Sequence, residues 1–377
     1  MKNKKIIMQK FIKQIQPVID GNEERFIKKI VKTTFITENK FSKEFEEKIR
    51  KKVNAKYAIV VNNWTSGLYC CAKALNLKKN DEILVPNITF ASSVSSMLLA
   101  NLKVVLCEID ENDYSINLKL AEKLISKKTK AIMIVHLFGE CSNIEETKSF
   151  ARKHKLKIIE DAAQAFGGKY KQKALGTFGD VGGYSFYGNK SITTGEGGIA
   201  ITNNRSIAQK IRKLKNYGRL NKGTYRHSSV GYNFKFTDLN AAIGLAQLKK
   251  INKIFLKKKF IDDFYRTKLG HLKEIKFSNT NSFSEPIYWF TVIRAKKKNS
   301  LSRYLLKKRI ETRDFFLPMH LQSCFKKDSN VLNKNQKFTT SVKLYKTGLC
   351  LPSSANITKS DLNYVVKMII KFYEHRN

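Results

Sequence analysis

Four short stretches carry residue types that can do chemistry together. The run Ile158-Ile159-Glu160-Asp161-Ala162-Ala163-Gln164-Ala165 is apolar and ends on two carboxylates. An acid at the carboxyl end of a strand can hold a cation, a metal or the ring nitrogen of a heterocycle. The plainer alternative is that Asp161 caps a helix by accepting backbone N–H groups. Downstream, Lys190 stands between Ser185 and the glycines 195, 197 and 198, which permit positive φ and close backbone approach. A lone lysine beside a turn would read as solvated surface in a chain so rich in lysine. Its neighbours favour a nucleophile, with Ser185 offering a hydroxyl to a phosphate. In Asn62-Asn63-Trp64-Thr65-Ser66-Gly67, Thr65 and Ser66 bring hydroxyls and first-turn N–H groups to a helix start. That is an anion site by geometry and dipole, or else a simple cap. Phe90, in Pro86-Asn87-Ile88-Thr89-Phe90, is placed to cover a planar ring unless it is ordinary core.

These residues need a scaffold that delivers strand ends to one place. Apolar runs at 58–61, 83–85, 104–107, 131–135, 157–159, 182–186 and 198–202 read as strands, with helical patterns at 65–77, 91–100, 118–126 and 144–154. Strands separated by helices imply βαβ units and a mostly parallel sheet, whose ligands bind beyond the carboxyl ends of the strands. From Asp238 the pattern changes: a long helix over 238–264, a strand at 287–294, and helices at 301–309 and 359–375. The expected organisation is an N-terminal arm over 1–22, a large α/β domain over 23–250 and a smaller α+β domain over 251–377.

Length and composition bound the class. The 377 residues are 42% hydrophobic and 11% aromatic, which is enough to bury more than one core. The longest apolar runs, such as 131–135, fall far short of the roughly 18 residues of a spanning helix. The basic start lacks the apolar run and cleavage site of a secretory signal. Six cysteines without CxxC spacing give no zinc ribbon, so no metal is expected. These features point to a cytoplasmic soluble enzyme with no membrane insertion. The net charge of +41 would attract polyanions, but only 13 of the 72 basic residues are arginine and the lysines are spread along the chain. The charge therefore reads as drift that also favours an acidic small substrate, with no nucleic acid partner; a polyanion-binding protein on a degenerate scaffold is the rival of another class.

A phosphate site, a ring-nitrogen acid, a stacking aromatic and a nucleophilic lysine describe a pyridoxal phosphate pocket. On the segments 62–68, 81–90, 129–139, 160–165, 185–198, 231–248 and 310–322, the chain resembles the DegT-type nucleotide-sugar aminotransferases of fold-type I. The GNKSITTGEGG block is the specific part. The resemblance implies an α/β fold with a mostly parallel central sheet flanked by helices, plus a smaller C-terminal α+β domain. It also implies pyridoxal 5'-phosphate as cofactor, with Lys190 as the Schiff-base lysine, Asp161 at the pyridine nitrogen and Gln164 beside the ring hydroxyl. Thr65, Ser66 and Ser185 hold the phosphate, Phe90 stacks on the ring, and Asn233 reaches the phosphate of the neighbouring subunit in a homodimer with shared sites. Arg313 and His320 line the sugar side. The implied reaction moves an amino group from L-glutamate to the 4-keto carbon of a nucleotide-linked 4-keto-6-deoxyhexose, for surface-glycan biosynthesis. Amination at C3, or of a UDP- or dTDP-sugar, is the alternative within the family. Two positions depart from its pattern: Trp64 replaces a glycine of the first turn, and Phe166 stands where many relatives carry histidine.

Overall fold

The protein is described by a computed structural model that covers residues 10–219, 225–279 and 282–374. The apolar runs form strands β1 (Tyr57–Val61), β2 (Glu82–Pro86), β3 (Lys103–Cys107), β4 (Thr129–Val135), β5 (Lys157–Asp161), β6 (Val181–Ser185) and β7 (Gly198–Thr202). They lie in the order β1-β7-β6-β5-β4-β2-β3, and Val331–Leu332 adds an eighth strand beside β3. Pairings from β3 through β6 are parallel, whereas β7 runs against both β6 and β1. No helix separates β6 from β7, and parallel neighbours need a crossover that is usually helical. Because β7 alone is reversed, the ends of β1, β2, β4, β5 and β6 share one edge of the sheet. Asn62, Asn87, His136 and Asp161 therefore gather there with Ser185.

Helices follow the strands as expected, though trimmed, at Trp64–Ala74, Ser92–Leu99, Leu118–Glu122 and Ile144–Lys153. Five more were not anticipated: Asn22–Val31, Lys40–Lys52, Arg205–Leu214, Ser323–Lys327 and Thr339–Thr347. In Lys40–Lys52, Phe41, Phe45 and Ile49 recur at i, i+4 and i+8 and are buried with Val60, Ala241 and Leu245. The carboxylate of Asp238 takes the N–H groups of Asn39 (2.8 Å), Phe41 (3.1 Å) and Ser42 (2.9 Å), which a helix start leaves without intrahelical partners.

The long helix, Asp238–Leu269, runs five residues beyond the expected end at 264 and passes through residue 250 without interruption. Its first half packs Ala241, Leu245, Ile251 and Ile254 into one core with β1; its second half packs Ile261, Tyr265 and Leu269 into another with Ile293, Leu349 and Ile369. One helix thus serves both cores. The second core backs an antiparallel sheet of Ile275–Lys276, Val292–Ala295, Gly348–Cys350 and Arg313–Asp314, flanked by helices Lys298–Lys307 and Lys359–Glu374. His375, the expected end of the last helix, lies outside the described residues. The strand expected over 287–294 begins only at Val292, because the Trp289 N–H is drawn to the Phe138 carbonyl (2.7 Å) instead of a ladder. Of the arm, residues 1–9 lie outside the described residues. The rest runs along the second core: Ile12 pairs with the backbone of Arg309 and Glu311, and the Gln14 carbonyl accepts from Ser353 N–H (2.8 Å).

Candidate active site

The β6–β7 loop carries Lys190 on a tight turn in which its N–H bonds the Tyr187 carbonyl (2.9 Å). Below it, Phe186 and Gly197 pair (2.9 Å), Thr194 N–H returns to Phe186 (2.9 Å), and Gly195 takes φ 80°, where a side chain would be strained. Asn240, on the first turn of the long helix, donates to the carbonyls of Thr194 (2.8 Å) and Glu196 (3.2 Å). The loop is therefore tied at its base, and Lys190 projects from a fixed frame. Its Nζ lies 3.6 Å from the centre of the Trp289 ring, and Trp289 Nε1 donates to the Asn189 carbonyl (2.7 Å). Lys190 keeps partial solvent contact through the pocket, yet enclosing protein desolvates it and pushes the ammonium down to about 7 against the opposing charge of Asp161. At neutral pH a large share of this amine is uncharged, as a nucleophile or base requires.

Asp161 is the last residue of β5, and no helix follows it, so the alternative of a helix cap falls. Its Oδ1 accepts from the indole Nε1 of Trp64 (2.9 Å) and from Ala163 N–H (3.2 Å), and its Oδ2 from Ser93 Oγ (2.8 Å). Gln164 is buried beside it and accepts the Phe138 N–H through Oε1 (2.6 Å). At the end of β1, Asn63 caps helix Trp64–Ala74 by taking the Ser66 N–H (2.9 Å), a bond worth about 1 kcal/mol. The helix start, with its positive dipole end, opens onto the same space.

That space is a cavity of about 460 Å³ lined by Thr65, Phe90, Asp161, Gln164, Ser185 and Lys190, among others. Arg313 is exposed at its wall. Three expected residues do not line it. The Ser66 hydroxyl turns back to Asn62 Oδ1 (2.6 Å). Asn233 is exposed on the outer surface, next to Phe234, whose carbonyl receives the Asn62 N–H (3.0 Å). His320 packs its ring on Phe338 and sits against the Asn87 amide, outside the lining of this cavity. Phe166, one of the two departures, is core between Tyr184 and Phe186. Sequence reasoning missed the aromatic wall of Phe138, Trp289, Phe290 and Phe316, in which Phe138 and Phe316 stack at 5.1 Å. One signal was available: Trp289 is one of only two tryptophans. A wider cleft of about 580 Å³ among Phe26, Lys48, Lys52, Leu248 and Lys249 shares no residue with this cavity.

Pyridoxal phosphate fits the residues present. The cavity is of ligand size, an amine and a carboxylate face it together, and Asn189 Oδ1 beside Lys190 is a buried acceptor with no partner among the described residues. Comparison with known proteins agrees. The model of the DegT/DnrJ/EryC1/StrS aminotransferase family matches residues 17–370. GDP-perosamine synthase of Escherichia coli O157:H7 is 32% identical over 371 residues, covering 97% of this chain and all of that one. The dTDP-3-amino-3,6-dideoxy-alpha-D-galactopyranose transaminase of Aneurinibacillus thermoaerophilus is 30% identical over 334 residues, covering 87% and 89%. Among solved structures, the Helicobacter pylori aminotransferase PseC superposes with a TM-score of 0.90 at 23% identity, covering 97% and 100%. The chain belongs to the DegT/DnrJ/EryC1/StrS aminotransferase family and is a sugar aminotransferase dependent on pyridoxal phosphate.

Proposed function

We propose that the chain transfers the amino group of L-glutamate to the 4-keto carbon of a nucleotide-linked 4-keto-6-deoxyhexose, as a GDP-perosamine synthase-like enzyme. The observation that carries the reading is the convergence of Lys190, Asp161, Gln164, Thr65 and Ser185 on one cavity, in a chain similar over nearly its whole length to GDP-perosamine synthases. Pyridoxal phosphate, when bound, supplies an electron sink and a carbon that carries the nitrogen between donor and acceptor.

The chain's own residues do the rest. The Lys190 amine, whose burial holds its charged form well below the usual ammonium range, would move a proton between the α-carbon of the amino acid and C4′ of the cofactor. Asp161 holds the pyridine nitrogen in its protonated form. Thr65 and Ser185 grip the phosphate at the helix start, Gln164 stands beside the ring hydroxyl, and Phe90 covers the ring. Arg313 offers a cation to the acidic substrate from the rim. Asn233, being exposed beside the β1 turn, serves the phosphate of a neighbouring subunit, which makes the working form a homodimer with shared sites. We place the reaction in the cytoplasm and its product in surface-glycan assembly, with nucleic acid no part of it.

Amination at C3 is the second reading, favoured by the 30% identity to the 3-amino sugar transaminase. The test is a panel of GDP-, UDP- and dTDP-linked 4-keto and 3-keto sugars offered with glutamate, scoring amino sugar and 2-oxoglutarate together. A GDP-linked 4-amino sugar as best product supports the proposal. A 3-amino product, or a better turnover with another nucleotide, transfers it to the second reading.

A further inference from the structure

Trp64 occupies a position where the resemblance would place glycine, and its side chain is almost wholly buried (3% exposed). The indole fits because two other residues lack side chains. A Cβ on Gly67 would lie 2.5 Å from Trp64 Cε3, and one on Gly183 would lie 2.3 Å from Trp64 Cη2. Real Cβ atoms do not come so close, so Trp64 and the gaps opposite it belong together.

The slot aims the ring's single donor at Asp161. Oδ1 of that carboxylate takes two N–H groups, from Trp64 (2.9 Å) and Ala163 (3.2 Å). Oδ2 takes one hydroxyl, from Ser93 (2.8 Å), which is itself paired with Thr89 (2.6 Å). A carboxylate offers about two acceptor sites per oxygen. Oδ1 is therefore full, and Oδ2 has one site left.

We infer that Trp64 is a positioning residue: by filling Oδ1 it fixes the rotation of the Asp161 carboxylate and reserves Oδ2 for the protonated ring nitrogen of the cofactor. The inference rests on the proposed role of Asp161 and says how this chain holds that residue where a glycine-bearing relative has no side chain to do so. The competing account is that Trp64 only fills space.

A double-mutant cycle on cofactor binding separates the two. Dissociation constants for pyridoxal phosphate are measured by equilibrium dialysis for the full-length parent, Trp64→Phe, Asp161→Ala and the double variant, with the pH midpoint of the bound cofactor's visible absorbance as second readout. Trp64→Phe keeps an aromatic ring in the slot, though a smaller one, and removes the N–H. The loss of volume alone acts equally with and without Asp161, which is what the cycle separates. The variant is expected to weaken binding about tenfold, the size of a lost hydrogen bond to a charged group, and to shift the pH midpoint. In the Asp161→Ala background the same change should alter affinity by less than about twofold, because the residue it acts through is gone. Parent-like affinity and pH midpoint in Trp64→Phe overturn the inference, and so does a tenfold effect that persists undiminished without Asp161. If Trp64→Phe does not fold, Trp64→Gly combined with Gly67→Ala takes its place in the cycle, with the same expectations. If Asp161→Ala alone leaves affinity and absorbance unchanged, the role of Asp161 fails, and Trp64 fails with it.

Discussion

Two lysines of this chain sit in apolar surroundings, and desolvation brings both ammonium groups down to about 7. Lys258 lies on the inner face of the long helix. Its Nζ donates to the carbonyls of Trp289 (2.9 Å) and Ser353 (2.6 Å). Lys190 has no hydrogen-bond partner among the described residues, faces the aromatic ring of Trp289 and opens on a cavity of about 460 Å³. Burial alone therefore does not make a reactive amine. Lys258 is committed to holding two backbone segments together, one of which carries Trp289 to the pocket. Lys190 is held by its backbone and left free at its tip.

That contrast is open to direct attack. The largest effect is expected from Lys190→Ala, which should lower amino transfer by at least about a thousandfold and remove the yellow absorbance of the loaded protein, with thermal unfolding close to the parent's. Substantial turnover by that variant without added amines would return Lys190 to the surface lysines. Asp161→Asn should fold and bind cofactor but lose roughly a hundredfold in rate, since an amide stabilises the ring-nitrogen cation less well. A parent-like rate would leave Asp161 as the end of a strand and no more.

Lys258→Met should show the opposite pattern, with little change in the chemistry of Lys190 and a loss of about 1–3 kcal/mol of stability for each carbonyl left unpaired. Its pH dependence has a definite sign. The folded-state midpoint near 7 lies below the ordinary 10.5, so between those values the unfolded chain binds the extra proton and the parent gains stability as pH rises. The Met variant lacks that gain, and denaturant melts should show the gap between the two widening from pH 7 toward pH 10. A gap constant with pH would mean that Lys258 stays charged in the folded protein. The smallest effect concerns the surface lysines. Raising salt should increase the apparent KM for the nucleotide sugar and leave kcat nearly unchanged, because screening beyond about 8 Å weakens capture without touching Lys190.

The same contrast shows what the sequence made legible. All seven main strands were readable because each is a short apolar run closed by polar or glycine residues, as in 131–135 and 198–202. Asp161, Ser185 and Lys190 followed, since strand ends bring ligand-facing residues together in such sheets. Helices Lys40–Lys52 and Arg205–Leu214 carry short apolar periods (Phe41, Phe45 and Ile49 in the first, Ile207, Ala208 and Ile211 in the second) and lie outside the strand–helix alternation that marks βαβ units. The exceptional character of Lys258 was invisible among Lys257 and Lys259, as only the tertiary contacts single it out. Trp64 was legible as a departure, but its hydrogen bond to Asp161 depends on Gly183, which is distant in sequence. That Arg313 lines the cavity while His320 packs on Phe338 could not be read from their nearness in the chain, since both depend on tertiary contacts.

The most direct test of the account is to reduce the protein loaded with pyridoxal phosphate with borohydride, digest it, and locate the cofactor by peptide mass spectrometry. The account predicts the adduct on the peptide carrying Lys190, with Lys258 unmodified. An adduct on Lys258 or on another lysine, with Lys190 left bare, would contradict it.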